Sequence, residues 1–282
     1  MTILVTGATG RVGSRLVRRL LGQGRSEPVR ILVRDQARAE PLIALGAEAV
    51  VGNVVDPAVV NQAVKGVDSI VHLVTIFRTL PGEDIVEVNH QAAVELAHAA
   101  LRNGVGRFVY CSTNQVYGPG RGRPAVETDI PDPDRPYSIT KTAAERSLLA
   151  LHATEGLPLR IFRPPVIYGD GDPRLGLQPT WSRKWPLHRR LQLVHHADVV
   201  QALISGIQAE GIDGEIFNVG DDAPVTAYEI LRLNNLTPDP DAGSRTLDDP
   251  WKDIIDSSKI RRVLGFRPIY PSVYAAMDAG AL

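Results

Sequence analysis

The chain of 282 residues has a single cysteine and two methionines, and aromatic residues make up only 5% of it. With Cys111 alone, no internal disulfide can form, which suits a reducing compartment such as the cytoplasm. Cys111 sits inside an apolar run, where packing is expected rather than a reactive thiol. An excess of charge of one sign is also missing. The 31 Lys and Arg stand against 32 Asp and Glu, for a net charge of -1, which gives no reason to expect nucleic acid or an anionic membrane as partner. No apolar run approaches the ~20 residues a bilayer-spanning helix needs. The chain opens directly on strand-forming residues, so no signal peptide is expected. His195 and His196 stand before a helix with no acidic or cysteine partner in view, so no metal site is expected. Internal repeats are absent too. A hydrophobic content of 44% is enough for one sizeable core with a small appended lobe.

The most informative stretch is Thr6-Gly7-Ala8-Thr9-Gly10-Arg11-Val12-Gly13. It follows the apolar run Ile3-Leu4-Val5 and leads into Ser14-Arg15-Leu16-Val17-Arg18-Arg19-Leu20-Leu21. Strand, glycine turn and helix are in the order a dinucleotide-binding site needs. Gly7 lets the chain leave the strand tightly, Gly10 lets backbone approach a pyrophosphate, and Gly13 lets the helix lie close to the strand. The positive end of the helix dipole then faces the phosphates. Three glycines also suit any tight strand–helix connection, so the context on both sides carries the reading.

Apolar runs recur at 29–33, 49–51, 67–74, 108–112, 159–162 and 215–219, separated by helical patterns over 36–46, 84–103, about 137–155 and about 196–209. The runs are continuous rather than alternating, as expected for strands covered on both faces. The chain therefore reads as α/β, a Rossmann-type doubly wound parallel sheet with a small C-terminal substrate lobe. The dinucleotide-binding domain is expected over 1–168, with further strands from about 195–220. The lobe is expected over 169–194 and 221–282, and the proline-rich stretch 118–136 as loop.

Tyr137 and Lys141 stand four apart at the start of a helix and share a face. A phenol near pKa 10 transfers protons poorly at neutral pH, and a nearby ammonium lowers that value. Ser112 and Thr113, at the end of a strand, can supply a hydroxyl to orient a substrate oxygen. Such a pair taken alone reads equally as an exposed helical pair; the glycine turn upstream favours catalysis.

With these pieces the chain resembles the extended short-chain dehydrogenase/reductases, the NAD(P)-dependent epimerase/dehydratase family. The resemblance rests on 6–13, on Phe108 to Thr113 leading to Val116-Tyr117-Gly118, and on Tyr137-Ser138-Ile139-Thr140-Lys141. Arg163 to Gly169, His196-Ala197-Asp198-Val199, Phe217-Asn218-Val219-Gly220 and Ser258-Lys259 continue the series in the family's order. The resemblance implies Thr113 as the catalytic hydroxyl, Tyr137 as general acid/base, and Lys141 as the residue that holds the nicotinamide ribose and tunes the tyrosine. It implies Asn53 and Val54 beside the adenine, although the family usually has Asp rather than Asn53. Leu73, Val74 and Thr75 would run under the middle of the cofactor, Pro164 to Val166 would border the nicotinamide, and Asn89 would brace the site. Asn114, Tyr168 and Arg183 are candidates for substrate contact. The family often dimerises through two helices per subunit, here those near 84–103 and 137–155, where small and apolar residues recur.

An acid at the end of the second strand holds the ribose of NAD, whereas arginine suits the phosphate of NADP. Here Arg34 stands at that position, Asp35 follows, and Arg11 adds a second cation in the turn. NADP is therefore the expected cofactor, with NAD as the alternative if Asp35 turns in; Arg38 reads as solvated helix face. The substrate is a small molecule. Val166 replaces an asparagine usual in sugar-nucleotide members, which favours a small ketone or alcohol. Arg174, Arg183, Lys184, Arg189 and Arg190 could instead clamp a diphosphate, making redox-neutral epimerisation or dehydration of a nucleotide-sugar the alternative. Trp181 and Trp185 are expected to pack the lobe. A non-catalytic redox sensor is the third reading, which the tyrosine–lysine pair disfavours.

Overall fold

The computed structural model describes residues 1–22, 28–77, 84–173 and 182–282. Its centre is a seven-stranded sheet. The strands in chain order are β1 (Ile3–Thr6), β2 (Val29–Val33), β3 (Glu48–Val51), β4 (Ser69–His72), β5 (Arg107–Cys111), β6 (Leu159–Arg163), β7 (Val166–Tyr168), β8 (Arg190–Leu191), β9 (Leu193–His195), β10 (Ile216–Asn218) and β11 (Val225–Thr226). The main sheet has the order β10-β6-β5-β4-β1-β2-β3, and β1 to β6 pair in parallel. After β3 the chain crosses back to the other side of β1, so the strand order reverses between β1 and β4. Ligands of such sheets bind at that point, beyond the carboxyl ends of the strands.

The helices of this part are α1 (Arg11–Leu21), α2 (Gln36–Ile43), α3 (Pro57–Val64), α4 (Ala92–Arg102) and α5 (Pro136–Glu155). Pleating sends alternate strand residues to opposite faces. Leu4, Leu32, Ile70, Phe108 and Ile161 join Val60, Leu96 and Leu148 in one buried cluster. Helix α3 was not among the expected elements, although Asp56-Pro57 marks its start. The Asp56 carboxylate accepts from the Ala58 N–H at 2.9 Å, and Pro57 occupies the first turn, where no backbone donor is needed. The helix expected over 84–103 is not uniform. Residues Glu87–Gln91 form a π-helical turn before α4, and the extra residue turns Val88 and Asn89 inward. Most of the small and apolar residues that suggested a helical dimer face are buried in the chain's own core, among them Ala92, Ala93, Leu96, Ala97, Ala144 and Leu148. Among the described residues no helix is long and apolar enough to cross a membrane.

The chain divides into two compact units. One comprises Met1–Thr113, Arg135–Phe162 and Ala202–Ile216, and the other Asn114–Asp134, Arg163–Gln201 and Phe217–Leu282. The second unit thus takes in 114–134, 163–168, 195–201 and 217–220 besides the segments expected for the lobe. Its core gathers Tyr168, Leu191, Leu193, Val225, Ile230 and Val273. Arg163 is buried in the same unit and donates to the Tyr117 hydroxyl at 2.8 Å, which lies 2.8 Å from Asn218 Oδ1.

The second unit also buries acid. Asp221 accepts from Gln192 Nε2 at 3.0 Å through one carboxyl oxygen, while the other has no partner among the described residues. Burial, with Asp222 and Asp198 nearby, pushes its carboxyl up to about 8, and Asp198 is raised to about 6 chiefly by burial. A carboxyl raised in the folded state holds a proton that the unfolded chain has released, so stability falls as pH climbs from about 4 to about 8. We expect Asp221→Asn to unfold at a higher temperature than the parent at pH 8, with the advantage shrinking towards pH 4. Thermal unfolding across that range checks it; an unchanged pH dependence contradicts it.

Candidate active site

The site begins with the turn after β1. Gly7 has φ +71°, and a Cβ there would come within 2.9 Å of the Leu73 and Val74 backbone. A Cβ on Gly13 would strike the Gly7 carbonyl and lie 2.8 Å from Ala8 Cα, so α1 can rest this close to the turn only with glycine. Gly10, the N-cap of α1, has nothing nearer its missing Cβ than Gly7 O at 3.1 Å, which leaves its outer side open.

That open side belongs to a cavity of about 270 Å³ at the carboxyl ends of β1 to β4. Gly7, Thr9, Gly10, Arg34, Asn53, Val54, Leu73, Val74 and Thr75, all expected at a cofactor, line it. Ile76, Val88 and Arg38 line it as well. Of the other residues expected at the cofactor, Arg11, Val12, Gly13, Asp35, Ser112, Tyr137, Lys141, Pro164 and Val166 are not among its lining residues. Asp35 instead caps α2, with Oδ1 accepting from Ala37 N at 2.9 Å and Arg38 N at 3.4 Å. Arg38 is not simply a solvated helix face, because its guanidinium reaches Thr9 O at 3.4 Å across the cavity rim. Asp35 as a helix cap was the signal that would have placed Arg38 in the first turn beside the cavity.

The tyrosine–lysine pair lies on α5 in the same unit. Tyr137 is half-buried and packs against Phe77, with ring centroids 4.8 Å apart. Lys141 is 1% exposed, and its Nζ donates to Cys111 O at 2.7 Å. The lysine is thereby tied to the end of β5, which continues into the buried Ser112 and Thr113. Ser112 Oγ has no partner among the described residues, so a buried donor stands ready beside the strand end. Burial lowers the Lys141 ammonium to about 8, partly offset by Cys111 and Glu145, and it raises the Cys111 thiol to about 11. Cys111 is therefore not a ready nucleophile.

Asn89 joins the cavity wall to this helix. Its Oδ1 accepts from Ile76 N at 2.8 Å and Thr75 Oγ1 at 3.1 Å, and its Nδ2 donates to Ile76 O at 2.9 Å and Thr140 Oγ1 at 3.1 Å. All four hydrogen-bonding capacities of the amide are used. The loop after β4, which lines the cavity, is pinned beside the residue that precedes Lys141.

A profile described as "NAD dependent epimerase/dehydratase family" matches residues 3–220. The chain belongs to that family. Among its relatives, the dTDP-glucose 4,6-dehydratase of Streptomyces griseus is 29% identical over 94% of this chain and 89% of its own length. A 3 beta-hydroxysteroid dehydrogenase/Delta 5-->4-isomerase of Mycobacterium tuberculosis (strain CDC 1551 / Oshkosh) is 34% identical over 60% of this chain, a match spanning about half (48%) of that relative's length. The structure of DesIV, the dTDP-glucose 4,6-dehydratase of Streptomyces venezuelae with NAD and TYD bound, superposes with a TM-score of 0.83 at 26% identity, covering 99% of this chain and 95% of that one. The UDP-glucose 4-epimerase of Thermotoga maritima shares the fold, with a TM-score of 0.80 at 21% identity.

For this family member the second unit holds the remaining candidates. Asn114 Nδ2 donates to Asp253 O at 2.8 Å and its N–H to Pro164 O at 3.0 Å. Tyr168 is fully buried in that unit's core, edge-on to His195, and presents no surface to a ligand. Val166 packs partly buried against the same core, and Arg183 is exposed. The arginine run is in part committed: Arg189 lies over Trp185 and pairs with Asp253 at 3.3 Å, and Arg190 lies over Trp251. Arg174 and Trp181 lie outside the described residues. His196 does have an acidic partner, since its Nε2 is 2.8 Å from Asp172 Oδ2 with both side chains buried. Linear spacing hid that pair because 24 residues separate them. Among the described residues no three His, Cys, Asp or Glu gather as a metal site.

Removing the Asn89 amide deprives the Ile76 N–H and C=O and the Thr75 hydroxyl of the partner it provides, and leaves Thr140 Oγ1 only the bond it donates to Tyr137 O. Asn89→Ala should lower unfolding free energy by about 3 kcal/mol, read as a drop in Tm. A change within error would show the brace to be dispensable.

Proposed function

We propose that this chain is an NADP-dependent oxidoreductase of the extended short-chain type, acting in the cytoplasm on a small ketone or alcohol. The observation that carries the reading is the Lys141 ammonium, buried one helical turn from Tyr137 and anchored to the strand end that leads into Thr113.

The lining of the cavity supports binding of the adenine and phosphate part of a dinucleotide. Gly10 leaves backbone open at the N-terminus of α1, the hydrophobic wall of Val54, Leu73 and Val74 suits flat rings, and Arg34 and Arg38 stand at the rim. When bound, the nicotinamide supplies or accepts the hydride. The protein's part is positional and protonic. Tyr137 gives a proton to the carbonyl oxygen in reduction and takes it back in oxidation. Lys141 stabilises the phenolate form by its charge, and Thr113 orients the oxygen. NADP rather than NAD is supported by two guanidinium groups at the rim and by Asp35, whose carboxylate is engaged in capping α2.

The second reading is redox-neutral chemistry on a nucleotide-sugar. It is favoured by the likeness to dTDP-glucose 4,6-dehydratases, which runs nearly end to end, whereas the steroid dehydrogenase match covers 60% of this chain. NAD retained through purification would support it over the first.

Tyr137→Phe distinguishes either enzyme from a non-catalytic sensor. We expect turnover to fall by at least about a hundredfold, with dinucleotide affinity within about twofold of the parent by fluorescence titration. Undiminished turnover would remove Tyr137 from the chemistry.

A further inference from the structure

Burying an ammonium ion is costly unless something replaces its water. Lys141 Nζ has three donor hydrogens, and Cys111 O takes one of them. The other large contact is aromatic: Nζ lies 4.1 Å from the centroid of the Tyr110 ring, on the same strand. We propose that the face of Tyr110 is the seat that holds the Lys141 ammonium charged and in place, making Tyr110 a positioning residue for the tyrosine–lysine pair. The proposal rests on the reading of Tyr137 and Lys141 as the acid/base unit, and adds the residue that sets the lysine's charge.

Several observations converge on the ring rather than on the phenol. Tyr110 is fully buried, and its hydroxyl has no hydrogen-bond partner among the described residues. Burial, together with Glu145, Tyr137 and Cys111, holds that hydroxyl far above its ordinary range, so it stays neutral. The ring is itself fixed by stacking with His72, at 5.8 Å between centroids and 17° between planes. His72 is locked in turn by a 2.7 Å hydrogen bond between Nδ1 and Thr6 Oγ1, and burial plus the Lys141 charge keeps the imidazole neutral, its pKa lowered to about 3. The ionisable groups around Lys141 are therefore His72 from β4, Tyr110 and Cys111 from β5, and Tyr137 and Glu145 from α5. Of these only Glu145 carries a carboxyl group. The quadrupole of the Tyr110 face supplies the remaining negative potential, of a size that matters when the cation is desolvated.

A water-excluding wall and a cation seat predict opposite shifts. Removing a mere wall admits water and raises the lysine pKa towards its free value; removing a seat lowers it. The chain has five lysines, so 13Cε and 15Nζ spectra of lysine-labelled protein are simple, and Lys141→Met assigns the resonance. We expect Tyr110→Phe to leave the Lys141 titration within a few tenths of a unit of the parent. Tyr110→Leu and Tyr110→Met should each lower it by about one unit, and the alkaline limb of NADPH-dependent turnover should move down with it. Met keeps volume without a π face, so it decides the question if the leucine variant does not unfold cooperatively. An unchanged or raised Lys141 pKa in the folded Leu or Met variant, or a drop in Phe as large as in Met, would overturn the proposal. The lysine titration needs no substrate. A parent protein with no dinucleotide binding would instead sink the functional reading and leave the seat tested separately.

Discussion

Lys141 is a charge placed where a charge is expensive. Its burial commits α5 to lie against the end of β5, because the carbonyl of Cys111 is a hydrogen-bond partner that a buried ammonium cannot forgo. That single contact fixes Tyr137 one turn earlier and the Ser112-Thr113 hydroxyls just beyond the strand. The same desolvation brings the lysine's pKa down to about 8, near the range in which it must stay charged to be useful. Helix, strand and chemistry thus share one electrostatic constraint.

The cavity beyond β1 to β4 is joined to this constraint through Asn89. A π-helical turn before α4 carries the amide inward, where it grips the loop after β4 on one side and α5 on the other. A widened turn sacrifices regular helix geometry, and such turns recur at functional sites. Here it couples the wall of the cavity to the helix that bears Tyr137 and Lys141. At the other end of the cavity a competition is settled by helix capping. Asp35 satisfies the first N–H groups of α2, so the charged residues left at the rim, Arg34 and Arg38, are both cationic.

Much of this was legible in the chain itself. The parallel sheet followed from continuous apolar runs, and the glycine turn from three glycines whose spacing matched a strand and a helix. The tyrosine–lysine pair was visible because both residues lie on one helix, where i and i+4 are neighbours by geometry. What was hidden depended on distance in sequence. Arg38 looked solvated until the cap at Asp35 oriented its helix, and the His196–Asp172 pair joins the first residue of the helix His196–Gln208 to a turn 24 residues earlier. Helix α3 was missed although Asp56-Pro57 announced it, since attention to apolar periodicity overlooks an eight-residue helix with a start signal. Tyr168 reads as a ligand contact by motif, and only packing shows it filling a core.

On the proposed function, the cavity beyond β1 to β4 takes a phosphorylated dinucleotide and the Tyr137–Lys141 pair moves the proton. The most direct measurement is separate titration of NADPH and NADH against the purified protein by fluorescence, repeated with Arg38→Ala. We expect NADPH to bind more tightly, by about tenfold or more, with the preference reduced in the variant. Tighter binding of NADH, or NAD already present in the isolated protein, would contradict it and move the redox-neutral reading to first place.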